Sequence, residues 1–201
     1  MALDNQLLKK LYLEDGLSTK MIADQLKWSE NKITYWLNQY RIPKRSIAEA
    51  IYLKHNPSGN PFKVQKIKKP EDWFLFGLGL GLYWGEGTKS NLSSIRIGNT
   101  DPSLLKTFIR FLERLYKINR KKLRFGLQIF NDLSSEECLN YWQDILSVER
   151  NQFYKPIISP SQSTGTYKKK AKYGVVTIYF NNKKLRDIIV EEIEQIKQNK
   201  P

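Results

Sequence analysis

The 201-residue sequence is poor in the side chains that most often carry chemistry. It has one cysteine, Cys138, so no internal disulfide and no multi-cysteine zinc site can form. That thiol is expected to pack as a small hydrophobe. It has one histidine, His55, in a stretch flanked by proline and glycine. This excludes histidine-rich metal sites and argues against a Ser-His-Asp triad. Long apolar runs are missing too. The longest without a charge, Trp73 to Gly85, spans 13 residues, and crossing a bilayer takes about 20. The N-terminus opens on a charged amphipathic pattern rather than a secretory leader. A soluble chain is expected, cytoplasmic and nucleoid-associated in a bacterial or phage-like context.

Acidic residues are scarce as well, and unevenly so. Lysine and arginine number 34 against 20 aspartates and glutamates, a formal charge of +14. From Arg114 to Arg124 there are six basic residues and no acid, and from Arg150 to Arg186 nine and no acid. Either stretch alone reads equally well as a solvated loop. Two of them on one chain favour a face that meets phosphates. What is present in quantity, 40% hydrophobic and 12% aromatic residues, describes a folded chain. Its length suits one large domain, or one small and one medium domain.

Residues 1–55 read as three short helices. The first is carried by Leu7, Leu8, Leu11 and Tyr12, with Gly16 as its stop. Ser18 caps a second over Thr19 to Leu26, where Met21, Ile22 and Leu26 fall at helical spacing. Ser29 caps a third over Glu30 to Tyr40, with Ile33, Trp36, Leu37 and Tyr40 on one face, and Arg41-Ile42-Pro43 ends it. This string, with Ala23 as the small residue that lets the second and third helices approach, resembles the homeodomain-like helix-turn-helix of recombinases and transposon-encoded proteins. An ordinary three-helix bundle is the plainer alternative. The resemblance implies a third helix in the major groove, with Glu30, Asn31, Thr34, Tyr35 and Asn38 facing bases and Lys32 nearer the phosphates. Asparagine pairs with adenine and glutamate accepts from cytosine. Lys44 and Arg45 would then contact the backbone or an adjacent minor groove. The same residues also fit a merely polar, exposed face.

Residues 56–69, with their Asn-Pro, Ser-Gly and lysine-rich composition, read as a linker to a second domain over 70–201. That domain opens with Pro70, Glu71 and Asp72, good first-turn residues for a helix. Glycine costs a helix up to about 1 kcal/mol each, yet Gly77, Gly79, Gly81 and Gly85 follow within it. Gly77, Gly81 and Gly85 recur every four residues and so line one stripe, along which another backbone can approach closely. Phe74, Leu78 and Leu82 form the neighbouring stripe, expected in the domain's own core. A dinucleotide loop is excluded, because Gly79-x-Gly81-x-x-Trp84 lacks its third glycine, and a P-loop lacks its Lys-Ser/Thr pair.

The nine residues Gly79-Leu-Gly-Leu-Tyr-Trp-Gly-Glu-Gly87 resemble the LAGLIDADG motif of homing endonucleases. The resemblance, over residues 71–197, implies several things at once. The motif helix pairs with a second copy through Gly77, Gly81 and Gly85, so a single-motif chain acts as a homodimer. Glu86, the acid before the last glycine, is the catalytic one and holds Mg2+ or another divalent cation. Trp84 stands where the consensus has an earlier acid. Lys89, Arg96 and Lys155 are candidate electrostatic helpers in catalysis, and Arg124, Lys168, Lys169 and Lys170 candidate DNA contacts.

The expected fold class is α+β: the three-helix module, then an αββαββα unit whose strand after Gly87 is very short or merged. Strands over Ser93 to Thr100, Lys122 to Phe130 and Tyr173 to Phe180 and a helix from Pro102 to Tyr116 supply the rest. An extra helix over Ser134 to Val148 and a basic loop through Lys172 form an insertion over 132–172. The expected partner is double-stranded DNA, with no membrane. Two functions fit: a magnesium-dependent, site-specific DNA endonuclease, or a non-catalytic transcription regulator that keeps the fold.

Overall fold

The computed structural model describes residues 3–56, 59–161 and 171–198. They form two compact units, the first ending at Pro61 and the second beginning at Phe62. The class is α+β: eight α-helices and one four-stranded mixed sheet among the described residues. None of those helices is long and apolar enough to cross a membrane.

In the first unit, α1 (Asn5–Lys9) starts at Asp4, whose carboxylate accepts from the Leu7 N–H at 2.7 Å. It widens into a π-helical turn over Lys10–Glu14, and Gly16, at φ +70°, redirects the chain. Helices α2 (Thr19–Leu26) and α3 (Glu30–Gln39) each begin at a serine. Ser18 Oγ accepts from the Met21 N–H at 3.1 Å, and Ser29 Oγ from the Lys32 N–H at 3.3 Å. Ile22, Ala23, Ile33 and Leu37 are buried between them, in one cluster with Leu8, Leu11, Tyr12 and Ile42. Met21, expected inside, is 54% exposed; the stripe that turns inward is Ile22-Ala23. A fourth helix, α4 (Ile47–His55), capped by Ser46, has no buried residue.

In the second unit, α5 (Pro70–Glu86) opens with its proline. After it come β1 (Ile95–Asn99), α6 (Pro102–Tyr116), β2 (Arg124–Phe130), α7 (Ser135–Leu146), β3 (Ile157–Ser159), β4 (Val175–Phe180) and α8 (Lys183–Gln198). The sheet order is β1-β4-β2-β3, with β4 antiparallel to both neighbours and β3 parallel to β2. The expected strand after Gly87 is reduced to a single bridge, Gly87 to Ile97. The parallel edge strand β3, inside the insertion, is not legible in the sequence, since a three-residue strand carries no period.

Alternation decides which sheet face is covered. Ile95, Ile97, Phe125, Leu127, Ile129, Val176, Ile178 and Phe180 are buried, in one core with Leu80, Tyr83, Phe108, Phe111, Leu185 and Ile189 of the helices. The opposite face carries Arg96, Arg124, Gly126, Gln128, Thr177 and Tyr179, none of them buried. Phe62 also belongs to this core. The Lys63 and Gln65 N–H groups donate to Tyr116 O (2.7 Å) and Leu115 O (2.8 Å), satisfying the open end of α6. Part of the stretch read as a linker is therefore structural.

One expectation about α5 is overturned. Phe74 is 70% exposed and Leu78 37%, while Leu82 is half-buried. The side that turns inward is Leu75, Gly79, Leu80 and Tyr83. Gly79 is the reason: a methyl group there would lie 2.2 Å from the Phe111 ring, so α5 and α6 cross in close contact at that residue. The rotation that seats Gly79 on Phe111 carries Phe74 and Leu78 outward.

Candidate nucleic-acid interface

The first unit offers one helix surface. On α3, Glu30, Asn31, Tyr35 and Asn38 are exposed and Thr34 half-exposed, with Ile33 and Leu37 turned inward. A helix with exposed positions 31, 35 and 38 presents them on one side, since residues three and four apart are neighbours. Three of the expected contacts are partly engaged inside the unit. The Thr19 hydroxyl donates to Glu30 Oε1 at 2.6 Å, tying the starts of α2 and α3 together. Lys32 Nζ lies 3.6 Å from the centre of the Trp28 ring. Arg45 is held most firmly: its Nη1 donates to Gly16 O (3.2 Å) and Leu17 O (2.9 Å), and its guanidinium stacks 4.0 Å over Tyr12. Its backbone N–H also donates to the Tyr12 hydroxyl. Arg45 locks the segment after α3 onto the π-helical turn, while Lys44 beside it is exposed.

The second unit offers two surfaces. The first is the outward side of α5. Gly77, Gly81 and Gly85 are exposed, and a methyl group built on any of them meets nothing within 4 Å. Phe74, Leu78 and Trp84 (47% exposed) flank that stripe. A helix apolar on every side belongs in an interior, yet this one leaves most of one side uncovered. Glu86 ends it and is exposed. Gly87 must be glycine, because a β-carbon would lie 2.4 Å from the Tyr83 carbonyl oxygen. The turn beyond is pinned from several directions. The Thr88 N–H donates to Arg96 O at 2.9 Å, which joins it to β1. Lys89 Nζ donates to the carbonyls of Trp84 and Gly85, placing a cation on the negative end of α5. The buried Arg186 of α8 donates through Nη2 to Lys89 O at 3.1 Å. Burial raises the titration point of the Tyr83 phenol against the opposing Arg186 guanidinium, and neither Tyr83 Oη nor Arg186 Nε closes a well-formed hydrogen bond.

The other surface is the open face of the sheet. Arg96, Tyr179 and Arg124 stand in one row across β1, β4 and β2. Arg96 Nε donates to Ser94 Oγ at 2.9 Å, and its guanidinium lies 5.3 Å from the Tyr179 ring. Tyr154 meets that ring edge-on at 5.6 Å, and Lys155, exposed, is the next residue. The Tyr179 ring lies over Gly126, where a β-carbon would approach it to 3.1 Å. Arg124 Nη1 donates to Lys121 O and Leu123 O, both at 2.8 Å. Tyr154 and Tyr179 were missed from the sequence; the alternation of β4, which turns Val176, Ile178 and Phe180 inward, is the signal that places Tyr179 outside. Lys168, Lys169 and Lys170 lie outside the described residues.

The backbone hydrogen bond from Thr88 to Arg96 joins the turn after Glu86 to the β1 end of the sheet row. Lys89 there serves the end of the helix. Among the described residues no three histidine, cysteine or acidic side chains gather as a metal-binding group. Within one chain Glu86 is the acid the motif offers, and Mg2+ needs one or two carboxylates, completed by phosphates and waters. One exposed carboxylate, completed by phosphates and waters, would fit that need. Comparison with protein-family models, curated proteins and solved structures returns no match for this chain.

Proposed function

We propose that the protein is a site-specific DNA-binding protein that pairs through the outward side of α5 and acts as a LAGLIDADG-type, magnesium-dependent DNA endonuclease. The observation that carries this reading is the uncovered stripe Gly77, Gly81 and Gly85 ending in the exposed Glu86. Three glycines that meet nothing inside the chain each cost helix stability, and a second α5 laid along them recovers that cost as close backbone packing. A two-fold axis through this stripe is isologous, so it sets two Glu86 carboxylates side by side. The order helix, bridge, strand, helix, strand, strand, helix, with α7 and β3 as an insertion, also supports the reading. In the paired molecule the sheet rows with Arg96, Tyr179 and Arg124 face the duplex, and α3 of the first unit reads a major groove through Asn31, Tyr35 and Asn38. Glu86 of each copy would hold the divalent cation, which would supply an activated water and charge neutralisation at the transferring phosphoryl group.

A second reading rests on Trp84. Where the motif has an acid, this chain has a half-exposed indole with Lys197 Nζ 5.3 Å from its ring. One carboxylate fewer per chain favours a regulator that binds without cutting. Magnesium-dependent nicking of a randomised DNA library by the wild type and Glu86→Gln separates the two. Cutting by the wild type and none by the variant supports the endonuclease. Footprints without cutting by either leave the regulator. Sedimentation tests the pairing, with Gly81→Leu expected to yield monomers.

A further inference from the structure

Away from the glycine stripe and the sheet row, the second unit holds a cleft of about 420 Å³ that neither reading uses. Its walls are Val64 and Ile67 of the segment before α5, Trp73 and Phe76 of α5 in edge-to-face contact at 5.8 Å, and Tyr116 of α6. Its acid is Glu192 of α8, which accepts a hydrogen bond from the Tyr116 hydroxyl. This carboxyl is unusual in a chain of charge +14. Among the described residues no lysine or arginine pairs with it. Burial raises its titration point, the Tyr116 hydrogen bond opposes that rise, and the neighbouring Glu191 adds to it. Burial likewise raises the Tyr116 phenol, and Glu192 raises it further. A partly buried carboxylate without a cation is costly to keep charged.

We propose that this cleft is a binding site for a small organic cation, an ammonium or guanidinium carried on an apolar body. The volume lies in the range of ligand sites, about 300–1,000 Å³, which are mostly apolar with few polar groups. The cation meets the Glu192 carboxylate and the exposed Trp73 ring, and indole is the best aromatic partner for a positive charge. The apolar body covers Val64, Ile67 and Phe76. A neutral guest leaves Glu192 uncompensated, and an anion meets a like charge.

The test titrates the full-length protein with phenethylammonium, with phenylethanol as neutral isostere and phenylacetate as anionic one, and follows the heat of binding by calorimetry. Saturable binding of the ammonium, about tenfold or more tighter than either isostere, is expected from one charge-assisted contact. Glu192→Gln keeps an acceptor for Tyr116 and is expected to lose about that tenfold preference. Trp73→Ala removes a wall that is already 57% exposed, so folding is not at stake, and is expected to weaken the ammonium more than the alcohol. Equal affinity for ammonium and alcohol overturns the proposal. So does undiminished ammonium binding by Glu192→Gln, or the absence of saturable ammonium binding.

Discussion

Glycine in one helix plays two opposite parts, and the surroundings of each residue decide which. At Gly79 a methyl group would stand 2.2 Å from the Phe111 ring, and Phe111 is fully buried with neighbours of its own. Gly79→Ala is therefore expected to destabilise the second unit by about 1–3 kcal/mol, the usual cost of overpacking a core. At Gly77 and Gly81 the same methyl meets open space. Gly77→Ala and Gly81→Ala are expected to raise the stability of the unpaired chain, each by up to about 1 kcal/mol of helix propensity. Denaturant titration at low protein concentration checks all three. In the proposed pairing through this stripe, the latter two also weaken self-association, so stability gained by the monomer is lost by the dimer.

Glu192 gives a second residue-scale prediction. Its pKa in the fold is raised, so the folded chain holds its proton more tightly than the unfolded chain does. Stability then falls as pH rises from the unfolded value of about 4.3 through the folded value, and stays level above it. The groups that face it are Tyr116 on α6 and Glu191 on α8; the wall residues Val64, Gln65, Ile67, Trp73 and Phe76 carry no charge. Glu192→Gln cannot charge. Its melting temperature is expected to equal the wild type's near pH 4 and to exceed it at pH 7 by a few degrees, the gap opening across that window.

At the scale of elements, caps and periods made much of the fold legible. Ser18, Ser29, Asp101 and Ser134 each start a helix where the sequence puts one, because a side-chain oxygen that satisfies a free N–H is a local device. The α6 stripe through Leu105, Phe108, Ile109, Leu112 and Leu115 is buried as its spacing requires. What failed depended on the partner. The period of α5 is that of a helix apolar on every side, so no stripe marks its inward face, and a one-residue rotation exchanged Phe74 and Leu78 for Leu75 and Gly79. The role of Arg45 was equally hidden, since a basic residue after a helix looks the same whether it meets phosphate or the carbonyls of Gly16 and Leu17. Arg45→Ala is expected to destabilise the first unit by about 1–3 kcal/mol, through two lost hydrogen bonds from a charged group to half-buried carbonyls. A melt in the absence of DNA checks this, because a phosphate contact alone would leave that melt unchanged.

For the whole molecule, the charge of +14 is distributed less simply than the acid-free stretches imply. Several of their cations pair with acids outside those stretches: Arg114 with Asp72, Arg120 with Glu113 at 2.8 Å, and Arg150 with Glu136 at 2.9 Å. Such pairs are not available to phosphates without a cost. Lys155, exposed beside Tyr154 at the open sheet face, is in a different position, and so are the uncharged α3 side chains. DNA binding should therefore separate into two kinds of contribution. Lys155→Ala is expected to weaken binding about equally for every sequence and to make the slope of log K against log salt shallower by about 0.9, one phosphate contact. Asn31→Ala removes no charge, so it should leave that slope in place. If α3 reads bases, it costs about 1–3 kcal/mol of discrimination at one position of the preferred site. Binding of a site library at several salt concentrations reads both quantities at once. An Asn31→Ala protein with unaltered preferences would remove α3 from base readout and leave the sheet face to carry the specificity.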